Sequence, residues 1–162
     1  MTELKVISRS FEETQEIGKF IGEKARPGDV YLLVGQLGAG KTCLTRGLLW
    51  GLGSGESARS PTFVIVSHYV GRLTLYHMDF YRLNDAQEAF DLGIDEYFYG
   101  NGVCVVEWAD RVPEVFPEDY MKINIEYLDD NCRQLCFSTK SVCYSNLLEE
   151  ASLNFGASLS KG

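Results

Sequence analysis

Every position from Val30 to Val34 is apolar, and directly behind this run comes GQLGAGKT, where glycines break the pattern. A continuous apolar stretch of that length suits a strand covered on both faces. From Lys41 the pattern turns helical, with Leu44, Leu48, Leu49 and Leu52 at helical spacing until Gly53-Ser54-Gly55 interrupts it. Upstream, Ile17, Phe20 and Ile21 share one face of FEETQEIGKFIGEKARPGD, which predicts a helix capped by Ser10 or Thr14 and ended by Pro27-Gly28. Downstream, FVIVSHYV and LTLYHMDFY predict two antiparallel strands around a tight turn at Gly71-Arg72. DAQEAFDLGIDEYF reads as helix and GVCVVEW as a short buried strand. YMKINIEYL and RQLCFST read as a strand pair around Asp129-Asp130-Asn131, and YSNLLEEASL as a short amphipathic helix. The tail after about residue 150 is expected to be loose. No repeat or linker interrupts the series, so the expectation is a single α/β domain over residues 1–162, with a mixed central sheet flanked by helices.

Composition narrows the class of partner. The chain has 162 residues, 45% apolar and 23% charged, which fits one globular domain. No segment has the length and apolarity of a membrane-spanning helix, and charges interrupt the first twenty residues where a secretory signal would need an apolar core. A cytoplasmic location without membrane attachment is the expectation. The formal net charge of −8 opposes strong independent binding of a polyanion such as tRNA, because no surplus of Lys and Arg is available to displace counterions. The five cysteines have no regular spacing. Cys132, Cys136 and Cys143 lack a nearby fourth Cys or His to complete a tetrahedral zinc site.

Gly35, Gly40, Lys41 and Thr42 satisfy G-x-x-x-x-G-K-[ST] in the context that motif requires, after a buried strand and at the start of a helix. The glycines let successive backbone N–H groups converge on phosphate oxygens at the positive end of the helix. Lys41 supplies a charge for the β and γ phosphates, and the Thr42 hydroxyl can hold Mg²⁺. The fold class sharpens accordingly to a P-loop NTPase-like sheet that binds a nucleoside triphosphate with Mg²⁺. Such a site needs an acid at a neighbouring strand end. Two are available, Glu107 closing VCVVEW and Asp79 in LTLYHMDFYR, and either can serve. His77 is read as a packed or satisfied histidine rather than a base. RSPTF, with Pro61 stiffening the backbone beside Thr62, is a candidate γ-phosphate sensor. Arg59 and Arg82 are candidates for neutralising transition-state charge, and Trp108 for stacking on adenine or filling the core.

On GQLGAGKT, SPTF, YHMDFYR, GIDEYF and VEWADR, in this order, the chain resembles the TsaE family, also called YjeE, over about Ser10 to Leu148. The resemblance implies a small ATPase, weak on its own, that acts with TsaD and TsaB subunits in tRNA threonylcarbamoyladenosine synthesis. There it supports repeated turnover rather than the transfer chemistry. It further implies that Gly38, Ala39, Gly40, Lys41, Thr42 and Cys43 hold phosphates. Thr42 and Glu107 would hold Mg²⁺, Thr62 would belong to a switch loop, and Asp79 would support the metal or the attacking water. Phe11 or Thr14 would touch the nucleotide, with Trp108 near the site. Two positions depart from the usual pattern. Gln36 stands where an acid is general and can hydrogen-bond without a charge, while Cys43 replaces a common Thr or Ser and still supplies its backbone N–H.

A small-molecule kinase is the main alternative, since it would use the same cradle, but no stretch reads as an arginine-rich lid. A GTPase would need an Asn-Lys-x-Asp segment to read guanine, and the chain has none. A protein that binds ATP without hydrolysing it is the third reading.

Overall fold

In a computed structural model, which describes residues 1–36, 39–58 and 66–162, eight strands form one sheet in the order β3-β4-β5-β2-β6-β7-β1-β8. The strands are β1 (Thr2–Ser8), β2 (Val30–Gly35), β3 (Val66–Tyr69), β4 (Leu75–Asp79), β5 (Val103–Glu107), β6 (Met121–Tyr127), β7 (Arg133–Thr139) and β8 (Ser158–Lys161). Strands β4, β5, β2 and β6 run parallel, and antiparallel strands flank them on both sides. The mixed sheet expected from the sequence is therefore present, and β2 lies inside its parallel part.

The apolar run of β2 follows from that position. Tyr31 and Leu33 enter one core with Leu4, Leu48 and Ile123, while Val30 and Leu32 enter the opposite core with Phe80, Ile94 and Val106. A strand with packed side chains on both faces has no polar positions to alternate with.

Helices α1 (Phe11–Lys24), α2 (Lys41–Gly51) and α5 (Val142–Phe155) cover the first face. Two shorter helices, α3 (Ala86–Asp91) and α4 (Ile94–Phe98), pack on the second. The single helix expected over DAQEAFDLGIDEYF is split because Gly93 adopts a left-handed conformation at φ 73°. Ser10 caps α1, its hydroxyl accepting from the Glu13 N–H at 3.0 Å. Thr14 does not cap, because its buried hydroxyl is paired with that of Ser8 at 2.6 Å.

The turn between β3 and β4 is longer than the tight Gly71-Arg72 hairpin expected. Tyr69 pairs with Leu75, so five residues connect the strands. Arg72 explains the length. Its N–H donates to the Leu52 carbonyl at 2.6 Å, and its guanidinium reaches the carbonyls of Gly22 and Ala25 at 3.0 and 2.9 Å, tying the turn to the ends of α2 and α1.

The C-terminal tail is ordered rather than loose. Helix α5 continues to Phe155, and β8 then pairs antiparallel with β1 over Thr2↔Lys161 to Lys5↔Ser158. Strand β1 was not expected either, although Leu4 and Val6 alternate with Glu3 and Lys5 as a half-buried strand requires.

Helices α1 and α2 meet backbone to backbone. A Cβ built on Gly18 would lie 2.2 Å from the Leu44 carbonyl oxygen, and one on Gly47 would lie 2.0 Å from the Gln15 oxygen. No rotamer change relieves a clash with backbone, so the helices would have to separate. Gly47→Ala is therefore expected to lower unfolding free energy by about 1–3 kcal/mol, the usual cost of overpacking, despite the better helix propensity of alanine. Urea denaturation followed by circular dichroism measures the loss.

Candidate functional site

The described part of the turn after β2 is built from backbone contacts that restrict residue type. Gly35 passes so close to β6 that a Cβ there would sit 2.5 Å from the Ile125 carbonyl oxygen. The Ala39 N–H donates to the Gln36 carbonyl at 3.0 Å, and Gly40 precedes α2 at φ 109°, a conformation that side chains with a Cβ rarely adopt. Gln36 thus enters this contact through its main chain, with its side chain exposed. Helix α2 then starts with its N-terminus beside the C-terminal ends of the parallel strands, where the first-turn N–H groups lack intrahelical partners.

Lys41 is the first residue of α2 and only 6% exposed. Its ammonium donates to the Gly35 carbonyl at 2.7 Å and lies 4.4 Å from the centre of the Trp108 ring. Burial lowers its pKa from the ordinary lysine value, against the opposing fields of Glu107, Asp79 and Asp110. Thr42 follows it, half-buried in the same turn.

The two candidate acids end adjacent parallel strands. Asp79 of β4 and Glu107 of β5 are register partners, so their side chains leave the same face of the sheet. Glu107 is 5% exposed, and its Oε2 lies 2.5 Å from Nε2 of His77, which is fully buried two residues before Asp79 on β4. Asp79 Oδ1 accepts from the Tyr81 N–H at 2.8 Å. Desolvation raises the Asp79 pKa and Glu107 pushes in the same direction, while the Tyr81 N–H, His77 and Lys41 oppose both.

Trp108 turns the chain away from the strand end in a left-handed conformation, φ 57°, and its ring meets Tyr81 at 5.0 Å. It thus stands between the Lys41 ammonium and Tyr81. On the other side of β2 a cleft of about 110 Å³ is lined by Phe11, Thr14, Gly40, Cys43, Asn131 and Arg133, and Trp108 does not line it. Cys43 Sγ donates to the Phe11 carbonyl at 3.4 Å, and burial raises its pKa. Phe11 is 63% exposed, its ring available at the cleft mouth.

Among the described residues no three His, Cys, Asp or Glu side chains converge as a metal cage. A magnesium site does not need one, since Mg²⁺ keeps several waters and uses one or two protein oxygens beside phosphate oxygens. The Thr42 hydroxyl and the Glu107 carboxylate are hard oxygen donors of that kind.

Residues 8–135 match the family described as Threonylcarbamoyl adenosine biosynthesis protein TsaE. Over 153 residues the chain is 46% identical to the tRNA threonylcarbamoyladenosine biosynthesis protein TsaE of Bacillus subtilis (strain 168), which spans 94% of this chain and 96% of the relative. The protein of the same name from Treponema pallidum (strain Nichols) is 45% identical over 132 residues, 82% of this chain and 98% of its own. The chain belongs to the TsaE family. In structure, this TsaE-family chain is similar to the crystal structure of Bacillus subtilis YdiB, with a TM-score of 0.80 and 41% identity over 95% of this chain and 97% of that one. The family is one of tRNA threonylcarbamoyladenosine biosynthesis.

The fold brings the sequence candidates of this TsaE-family chain into two groups flanking β2. Lys41, Asp79, Glu107 and Trp108 gather on one side, and Phe11, Thr14, Gly40 and Cys43 on the other, with Gly35, Ala39 and Thr42 between them in the turn and first helical residues. Arg82 is exposed just after Tyr81. Gly38, Arg59 and Thr62 lie outside the described residues.

Sequence reasoning missed two contributors. Arg133, 8% exposed, donates from Nε to the Ala39 carbonyl at 3.0 Å and from a terminal nitrogen to the Asp129 carbonyl at 2.7 Å, so it fastens the glycine turn to the β6–β7 connection. Ninety-four positions separate it from Ala39, and no local pattern announces the contact. His77, read from the sequence as a packed or satisfied histidine rather than a base, is both, and its role beside the acids is what that reading leaves out.

The raised Asp79 pKa has a consequence for stability. Above the carboxylate range Asp79 is ionised in both the folded and unfolded chain, and the folded state bears the desolvation cost. Below the unfolded value it is protonated in both, and the cost is gone. Asp79→Asn is therefore expected to stabilise the ligand-free chain at neutral pH. The advantage should shrink as pH falls through the folded Asp79 pKa toward the unfolded one. Thermal melts of both chains from pH 7 to pH 4 read this difference directly.

Proposed function

We propose that this chain binds ATP with Mg²⁺ and hydrolyses it slowly, and that the bound nucleotide controls its association with the TsaD-like and TsaB-like subunits of threonylcarbamoyladenosine synthesis. The observation that carries this reading is the buried Lys41 at the start of α2, facing two carboxylates at the ends of adjacent parallel strands. A turn of this shape offers converging N–H groups and one cation to a polyphosphate. The acids beyond it suit the cation that accompanies the terminal phosphates.

In this reading the α2 N-terminus and Lys41 bind the β and γ phosphates, with Thr42 and Glu107 holding Mg²⁺. Bound there, the ion would neutralise phosphate charge during hydrolysis. Asp79, with the higher proton affinity that desolvation gives it, would accept a hydrogen bond from water near the terminal phosphate. The cleft between Phe11, Cys43 and Arg133 is the match for the base, with Phe11 offering a ring face. Thr62 belongs to the loop that responds to the γ-phosphate. A small-molecule kinase would use the same cradle and would need an acceptor pocket beside the acids.

The net charge of −8 separates this chain's task from direct binding of tRNA. Its acidic surface meets a basic one on the partner subunits, near the groove that otherwise receives tRNA, and hydrolysis resets the complex.

Three measurements test the reading. Lys41→Ala is expected to weaken binding of an ATP analogue by roughly a hundredfold, in line with about 3 kcal/mol for charge-assisted hydrogen bonds. Unchanged affinity in a folded variant would remove the site. Glu107→Gln should keep the nucleotide and lose Mg²⁺-dependent hydrolysis, and the same behaviour in Asp79→Asn alone would exchange the roles of the two acids. Finally, with an ATP analogue at fixed salt, increasing tRNA should displace the chain from its partner complex. Simultaneous tight binding of both, or tight binding of tRNA by this chain alone, contradicts the proposed docking.

A further inference from the structure

Glu107 does not reach the site unaided. A carboxylate this deeply buried costs free energy unless it is hydrogen-bonded, and among the described residues its side-chain bond is the one from Oε2 to His77 Nε2 at 2.5 Å. His77 is itself fully buried, fixed in β4 between Ser67 of β3 and Val105 of β5. Its other ring nitrogen, Nδ1, has no hydrogen-bond partner among the described residues. Among the described residues the ring therefore has one polar engagement, and that engagement is Glu107. A neutral imidazole carries a single N–H. Placed on Nε2, the proton satisfies the carboxylate. Placed on Nδ1, it would leave a buried donor without a partner and set the bare Nε2 lone pair against an anionic oxygen.

The geometry points to His77 as the positioning residue of the cation site: its Nε2–H holds Glu107 through Oε2 and leaves Oε1 as the oxygen available to a divalent cation. This rests on the reading above that Glu107 helps to hold Mg²⁺. The bond limits rotation of the carboxylate, so the cation meets a group already oriented. It also engages one of the two oxygens, which favours monodentate ligation. Asp79, two residues along the same strand and on the same face, leaves beside it, so the histidine and both acids form one row at the ends of β4 and β5.

A packing role alone predicts something different. If His77 merely fills the core, removing its N–H changes stability and leaves the response to metal as it was.

The experiment compares affinity for a non-hydrolysable ATP analogue in Mg²⁺ and in EDTA, at one pH, by calorimetry. The ratio of the two dissociation constants isolates the metal-dependent part. His77→Leu should lower this ratio by about tenfold or more, as loss of a hydrogen-bond partner to a metal ligand typically does, with the EDTA affinity within about twofold of the parent. His77→Gln, which can return an N–H donor to the carboxylate, should recover most of the ratio. A parental ratio in folded His77→Leu overturns the inference, as does an equal loss in EDTA and Mg²⁺ or a His77→Gln no better than His77→Leu. Failure of the underlying reading looks different. The unmutated chain would then not bind the analogue, or Glu107→Gln would leave the ratio unchanged.

Should His77→Leu not fold, the unmutated chain decides. It holds two histidines, His68 and His77, so nitrogen-15 spectra of the rings contain two sets of signals. A proton on His77 Nε2, coupled to a resonance that shifts when Mg²⁺ joins the bound analogue, supports the inference. A ring protonated at Nδ1 alone, or one indifferent to Mg²⁺, overturns it.

Discussion

The contact between the α1 and α2 backbones governs where the site can be. With glycine at positions 18, 22, 47 and 51, the two helices approach until main-chain atoms touch, and a Cβ on any of the four would fall within 2.0 to 2.2 Å of a carbonyl oxygen of the other helix. This fixes α2 along α1 to within a fraction of an ångström, since sliding either helix would bring a side chain to a place that admits only a hydrogen. The first residues of both helices are fixed with it. Phe11 and Cys43 meet at one side of the glycine turn, and Lys41 is held over the strand ends at the other. The direction of the α2 N-terminus is thus set by packing two turns away from it.

Lys41, Asp79, Glu107 and His77 then occupy a volume that the rest of the fold would fill with apolar side chains. Lys41, Glu107 and His77 are all under 10% exposed, and beneath them Val105, Leu33 and Leu75 are packed without gaps to solvent. Charged groups in such a place destabilise the chain unless they face one another, and the opposed shifts of Lys41 and Asp79 record that the compensation is incomplete. A better-packed apolar cluster would make a more stable protein with nothing to offer a charged ligand. Perturbed groups of this kind gather at functional sites, and structural ion-pair networks also produce them.

Much of this was legible in the residues. The apolar run of β2, the glycines and the helical spacing after Lys41 each follow from a local rule, and the three coincide at one place in the chain. Glu107 and Asp79 could be named because each ends an apolar strand. That they are neighbours in register depends on the parallel pairing of β4 with β5, which joins segments with α3 and α4 between them. His77 shows the limit most clearly. A histidine in an apolar strand looks the same whether its ring nitrogen meets water, a carbonyl or a carboxylate, and the answer here lies thirty residues away. Strands β1 and β8 escaped for another reason. β8 has the sequence SLSK, without an apolar run of its own, and forms because β1 offers an edge to pair with.

The two halves of the site meet at the turn between them. Arg133 grips the Ala39 carbonyl from the side of the cleft, and Lys41 grips the Gly35 carbonyl from the side of the acids, so the same short piece of main chain is held from both flanks of β2. On the proposed function, a Lys41 that turned from the Gly35 carbonyl to a phosphate oxygen would give up one of these holds for a charge-assisted one. Arg133 keeps the other end of the turn in place meanwhile, since its Nε bond does not depend on Lys41. The acids stay where the sheet holds them, at the ends of parallel strands whose register no single side chain can alter.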